Sequence, residues 1–199
     1  MLDEPIRDGM QDIRNDFTND LSDAFEPFGR GYVVIGASGA GYLIGVVTGN
    51  ERLAKTSVTA FQTFAIAAGI TQGTKFLVGR ERPNADFGST VFRGPGLDGP
   101  RSLPSGHVTH AFALATVIAS EYNETPVVPV LAYGIASLTA FSRMNDDKHW
   151  MTDVILGAGI GYTIGKISHR LSPFLVDGTM TVEPIVSSEM TVVRVGLRL

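Results

Sequence analysis

Three short stretches set cationic and acid–base side chains at the edges of long uncharged segments: KFLVGRERP at 75–83, RSLPSGH at 101–107 and SRMNDDKHWMTD at 142–153. A Lys and several Arg beside a helix-end loop, as these stretches supply, are natural ligands for an oxyanion, because Arg offers a fork of donors and Lys a compact charge. Pro104 to His107 read as a turn entering a helix, where free backbone amides and the positive helix end favour an anion. Ser105 adds a hydroxyl donor. His149 and Asp153 are four residues apart, so on a helix beginning near Lys148 they share a face and can meet. A carboxylate so placed holds the imidazole in one tautomer, raises its basicity and leaves its other nitrogen free to attack. His107, titrating near neutrality, then suits the proton donor to a leaving group.

Plainer roles account for the remaining polar residues. His107 and His110 would make a poor metal site, since no convincing acidic third ligand accompanies them. His169, beside Lys166 and Arg170, reads as a structural residue near a helix C-terminus. Asp146 and Asp147 read as loop solvators, and Trp150 as a packing or interfacial anchor. Gly36, Gly39, Gly41 and Gly45 lie in an apolar run of helical length with no strand before it, so close helix packing explains them better than a phosphate loop. GIGYTIGK has the outline of a P-loop, but Ile160 stands where its first glycine belongs and Ile167 where its hydroxyl belongs.

Together the three stretches resemble the signature of the type-2 phosphatidic acid phosphatase superfamily, which includes bacterial class A acid phosphatases and vanadium haloperoxidases. Its first part, Lys, six residues, then Arg-Pro, is met by Lys75, Arg82 and Pro83. Its second, Pro-Ser-Gly-His, is met by Pro104, Ser105, Gly106 and His107. Its third, Ser-Arg, five residues, His, three residues, Asp, is met by Ser142, Arg143, His149 and Asp153. The resemblance implies hydrolysis through a phosphohistidine, without metal or other cofactor. His149 is then the nucleophile, Asp153 its orienter and His107 the acid, later the base that activates water. Lys75, Arg82, Ser105, the Gly106 amide and Arg143 hold the phosphate, and vanadate fits the same pocket. It further implies a bacterial cell-envelope protein with its site facing the periplasm, and the apolar helices, which bring that site near a bilayer, point to a phosphorylated lipid as substrate. The alternatives are a soluble periplasmic acid phosphatase for small phosphomonoesters, a vanadium haloperoxidase, and a non-catalytic envelope scaffold.

The elements that must position these residues follow from composition. With 199 residues, 44% of them hydrophobic, the chain suits one domain with a sizeable core. A net charge of −4 and the lack of a basic run argue against nucleic acid as partner, and the absence of cysteine excludes disulfides and thiolate metal sites. The acidic start lacks the basic and apolar regions of a signal peptide, so either none exists or it has been removed. Stretches 31–50, 56–74, 102–120, 125–142 and 154–165 carry no Asp, Glu, Lys or Arg. Four of them approach membrane-spanning length, yet Gly, Ser and Thr dilute their hydropathy. Thin membrane spans and a compact soluble bundle both remain open.

Ile6, Met10, Ile13, Phe17, Leu21, Ala24 and Phe28 recur at helical spacing and predict one amphipathic helix over 3–28. Residues 79–106, rich in Gly, Pro and Arg, predict a long functional loop. Alternation over 192–199, with TVEPIV before it, suggests a terminal hairpin that packs as an edge. The expected fold is an all-α bundle of about six helices, one amphipathic and five apolar, with a short C-terminal β-hairpin. A single domain would divide into an amphipathic helix over 1–29, a helical core bearing the site over 30–170 and a tail over 178–199.

Overall fold

The computed structural model describes residues 2–96, 99 and 101–176, with side chains as far as 172, and the backbone of 180–186 and 191–197. It is an all-α bundle: α1 (Asp3–Asp12), α2 (Asp16–Phe25), α3 (Gly31–Thr48), α4 (Glu51–Val78), α5 (Gly106–Glu121), α6 (Val127–Asn145) and α7 (Met151–Val176). The five apolar stretches become α3 to α7. Beyond them, β1 (Met180–Val186) and β2 (Thr191–Leu197) pair antiparallel, from Met180 opposite Leu197 to Val186 opposite Thr191.

The single N-terminal helix expected over 1–29 is instead two helices and a 3-10 turn. Apolar spacing alone does not reveal the break, which lies at Asn15. Asn15 Oδ1 accepts from Thr18 N at 3.1 Å, and its own N–H donates to Thr18 Oγ1 at 2.9 Å. This reciprocal cap starts α2 afresh. After α2, Pro27 enters a 3-10 turn over Glu26–Gly29, a short element common at helix ends.

α5 is the central helix, packed by α4, α6 and α7. Its seam with α7 is made by small residues. A Cβ on Gly157, Gly161 or Gly165 would stand 2.8 Å from Ser105 O, 2.9 Å from Ala113 N and 2.9 Å from Ala113 O respectively. Two of the three glycines of GIGYTIGK, Gly161 and Gly165, therefore serve close helix approach, while Gly159 faces open space. In the α3–α4 seam, Gly41 and Gly45 have this role, the latter with Ala54 N 2.6 Å from a built Cβ, whereas Gly36 and Gly39 face open space.

The interior is alanine, valine and threonine, including Ala67, Ala113, Val108, Ala136 and Ala140. Thr63, Thr109, Thr116 and Thr139 are fully buried, and each hydroxyl donates to the carbonyl four residues earlier. That bond removes the cost of burying a hydroxyl. The large apolar side chains point outward instead: Tyr42, Leu43, Ile44, Val46 and Val47 on α3, Val130 and Leu131 on α6, Ile155 and Leu156 on α7. α3 and α6 are each long and apolar enough to cross a membrane, and only 17% and 28% of their apolar windows are buried. Burial inside a compact soluble bundle, one of the two readings of these stretches, does not describe these helices.

Candidate active site

The three charged stretches meet at one end of the bundle. α7 begins just after His149, placing Asp153 in its first turn. Asp153 is fully buried, and its Oδ2 accepts from Trp150 N at 2.9 Å and from Ser102 Oγ. His149 Nδ1 lies 3.7 Å from that oxygen and 3.4 Å from Ser102 Oγ. The expected i, i+4 meeting is therefore present, with Ser102 between the two groups. Ser102 was legible only as a neighbour of the second motif.

α5 is joined directly to this helix start, since Ser105 N donates to Asp153 O at 3.1 Å. Ser105 is the N-cap residue of α5, yet its Oγ is buried without a partner and no side chain caps the helix. A buried hydroxyl and uncapped amides, those of Gly106 and His107 included, are the donors an anion requires. Lys75, in the last turn of α4, reaches the same place by donating to Arg101 O at 2.6 Å and Ser102 O at 3.1 Å. Arg82 follows α4, and its Nε is buried without a partner. Burial and the neighbouring Arg143 cation push Arg82 below its usual value. A buried donor without a partner is one that an incoming anion can satisfy.

His149 is 6% exposed. Burial, aided by the Lys75 and Arg82 cations and opposed by Asp153, lowers its pKa to about 4. The imidazole is therefore neutral at physiological pH, the form in which a ring nitrogen can attack. With Nδ1 toward Ser102 and Asp153, that nitrogen is Nε2.

Arg143 and His107 meet at a carboxylate that the motifs do not contain. Glu26, in the 3-10 turn, places Oε1 3.2 Å from Arg143 Nη1 and 2.8 Å from His107 Nε2. The second contact is off the line a hydrogen bond needs, and burial with the neighbouring Arg143 cation lowers the His107 pKa to about 4, well below the near-neutral titration its residue type suggests. A lone Glu 117 residues before Arg143 in sequence carries no spacing signal that would reveal it.

Asp146 and Asp147 are bound rather than solvated. Asp146 accepts from Ser22 Oγ at 2.6 Å and from Arg143, and Asp147 accepts from Arg7 at 2.6 and 2.7 Å. Gln11 donates to Met144 O at 3.2 Å, so both N-terminal helices hold the α6–α7 turn. Trp150 is buried, with its ring beside the Arg7 and Arg80 guanidinium groups. His110 turns away from any shared ligand with His107, for its Nδ1 lies 3.2 Å from Gly29 O and its ring meets Phe64 edge-on. His169 lies 3.6 Å from Glu121, within α7 rather than at its end.

A second buried cluster adjoins the first. Arg80 Nη1 donates to Asp153 Oδ1 at 2.6 Å and to Thr152 Oγ1 at 2.7 Å, while Nη2 donates to Asp3 Oδ2 at 2.6 Å. Nε and Nη2 also reach Ser89 O, at 3.0 and 2.7 Å. Neither Arg80 nor Asp3 stands out by type or spacing, since each is one charge among several in a charged stretch.

Residues 57–177 match the PAP2 superfamily, and the chain belongs to it. Over 112 residues it is 32% identical to lipid A 1-phosphatase of Porphyromonas gingivalis, a match covering 56% of this chain and 22% of that protein. Over 85 residues it is 36% identical to a probable diacylglycerol pyrophosphate phosphatase of Schizosaccharomyces pombe, covering 37% of this chain and 30% of that one. The chain thus spans under a third of either relative's length. The same fold occurs in Aquifex aeolicus LpxE, with a TM-score of 0.62, 21% identity and coverage of 85% and 96%. It occurs also in a transmembrane PAP2-type phosphatidylglycerolphosphate phosphatase of Bacillus subtilis, with a TM-score of 0.66, 22% identity and coverage of 85% and 84%.

Proposed function

We propose that the chain hydrolyses the phosphate ester or pyrophosphate bond of a phosphorylated lipid, through a phosphohistidine on His149. The observation that carries this is a neutral, carboxylate-oriented imidazole beside the Lys75 and Arg82 cations and an uncapped helix start. Lys75, Arg82, Arg143, Ser105 Oγ and the Gly106 amide cradle the phosphoryl oxygens and stabilise the charge that builds on them. His149 Nε2 attacks phosphorus, the bond to the leaving oxygen breaks, and His107, which the negative charge of the bound phosphate keeps protonated against its lowered pKa of about 4, gives that oxygen its proton. His107 then takes a proton from water, the resulting hydroxide attacks phosphorus, and the P–N bond breaks to release phosphate and restore His149. Vanadate, a phosphate mimic, occupies the same cradle as an inhibitor.

A lipid substrate is supported by the outward-facing apolar side chains of α3, α6 and α7, which match a bilayer better than water. Relatives named for lipid A and diacylglycerol pyrophosphate point the same way. On this proposal the protein sits in the envelope membrane of a bacterium, with its charged end facing the periplasm. The test is phosphate release from phosphatidate, undecaprenyl pyrophosphate, a lipid A phosphate and p-nitrophenyl phosphate, with and without detergent. A His149→Ala control should lose turnover by at least about 10³-fold. Equal rates on every substrate without detergent would overturn the lipid preference, and full activity of the control would overturn the phosphohistidine.

A further inference from the structure

Asp153 makes its direct contact with a cation through Arg80, and Arg80 is shared. Its fork spans Asp153 Oδ1 and Asp3 Oδ2, each at 2.6 Å, and all three side chains are at least 96% buried. Thr152 completes the joint: its Oγ1 accepts from Arg80 Nη1 at 2.7 Å and donates to Asp3 Oδ2 at 2.7 Å, and its N–H donates to Asp3 Oδ1 at 3.0 Å. Burial pushes the Asp3 carboxyl up, but the donors from Arg80 and Thr152 outweigh it and leave the group below its ordinary value. Asp3 is therefore a carboxylate.

The charge count has a chemical consequence. An Arg80–Asp153 pair alone is neutral, and would leave little negative charge to support the positive ring formed when His149 Nε2 bonds to phosphorus. Adding Asp3 gives one cation between two anions, so this cluster carries −1 rather than 0 against the Lys75 and Arg82 cations that also act on the imidazole, in surroundings of low dielectric where it counts most. The fork also fixes Asp153 from the side opposite His149.

We infer that Asp3, in the first turn of α1, is a positioning residue for the proposed reaction, acting through Arg80 on Asp153 and so on His149. This rests on the phosphohistidine reading, and it gives the N-terminal helix a part in turnover that its amphipathic pattern does not suggest.

The experiment measures kcat, KM and inhibition by inorganic phosphate on the full chain for wild type, Asp3→Asn, Thr152→Val and Glu4→Ala. Asp3→Asn should lower kcat about tenfold, the lower end of what loss of an outer partner costs a held imidazole in metal sites. KM and the phosphate inhibition constant should stay within twofold, because no phosphate ligand is touched. Thr152→Val, a milder change, should lower kcat about threefold, since it removes the hydroxyl bonds to Arg80 and Asp3 but leaves the Arg80 fork on both carboxylates, and it carries the test if Asp3→Asn does not fold. Glu4 ties the same helix to Ser89 N and Oγ, both at 3.0 Å, without touching Arg80, so Glu4→Ala should leave kcat within twofold. Equal loss in Glu4→Ala and Asp3→Asn, a parallel rise in KM, or unchanged kcat in both Asp3→Asn and Thr152→Val would overturn the inference while the wild type still turns over. A wild type inactive on every substrate overturns the phosphatase reading, and this inference with it.

Discussion

The charged end of the bundle and its shaft solve burial in opposite ways. At the charged end, Asp3, Arg80, Arg143, His149 and Asp153 are buried, each against a partner of opposite charge or a hydrogen-bonding group. In the shaft, alanine, glycine and self-bonded threonine are buried, while leucine, isoleucine and tyrosine face outward. In neither region does hydrophobicity alone decide what is inside. At the site, pairing decides, because an unpaired buried charge is costly and a paired one is tolerable. In the shaft, closeness decides, because small residues let the backbones of α5 and α7 touch and leave the bulk for apolar surroundings.

Four perturbations would break or sharpen this contrast. The largest belongs to the charged end: Arg143→Ala should cost about 10²- to 10³-fold in kcat/KM for phosphate release, the usual loss of one oxyanion-stabilising donor. A smaller loss would mean that Glu26 and Asp146, rather than substrate, are the true partners of Arg143. In the shaft, Gly161→Leu should destabilise the fold by about 3 kcal/mol, since any Cβ there enters the backbone of α5. Thermal unfolding in detergent measures this, and an unchanged Tm would show that the seam can open.

The third concerns pH. His149 has its pKa lowered from 6.5 to about 4, so between those values the unfolded chain binds a proton that the native one refuses. The contribution is fully present above pH 6.5 and is lost as pH falls toward 4, by up to about 3 kcal/mol. His149→Gln should therefore show a shallower fall in Tm between pH 6.5 and 4 than wild type. Parallel slopes would mean that His149 titrates normally. The smallest effect on chemistry lies farthest from it: Leu43→Ser with Val47→Ser should weaken association with lipid vesicles, yet leave turnover of p-nitrophenyl phosphate within twofold. A large loss of that turnover would show that α3 supports the site and not only the apolar surface.

The reading of sequence and the reading of structure part at identifiable residues. Lys75, Arg82, Ser105, His107, Arg143, His149 and Asp153 stand out in the sequence as candidates because their spacing is short-range and their types are chemically unusual in apolar surroundings. Glu26, Ser102, Arg80 and Asp3 do not. Each acts through a contact with a residue distant in the chain, the Asp3–Arg80 bond spanning 77 positions, and no local pattern encodes such a partner. The N-terminal helix was misjudged for a related reason. Apolar spacing runs unbroken through Asn15 and registers neither the cap that ends its continuity nor the α6–α7 turn that its polar face binds.

Local sequence thus determined the helices, the small-residue stripes and the three clusters of reactive side chains, because hydrogen bonding within a helix and side-chain chemistry are short-range properties. Tertiary structure alone decided which face of each helix would be covered and which charges would neutralise one another. Those outcomes depend on the distance between atoms far apart in the chain, and Coulomb energy and desolvation are set by that distance and by the water left around it.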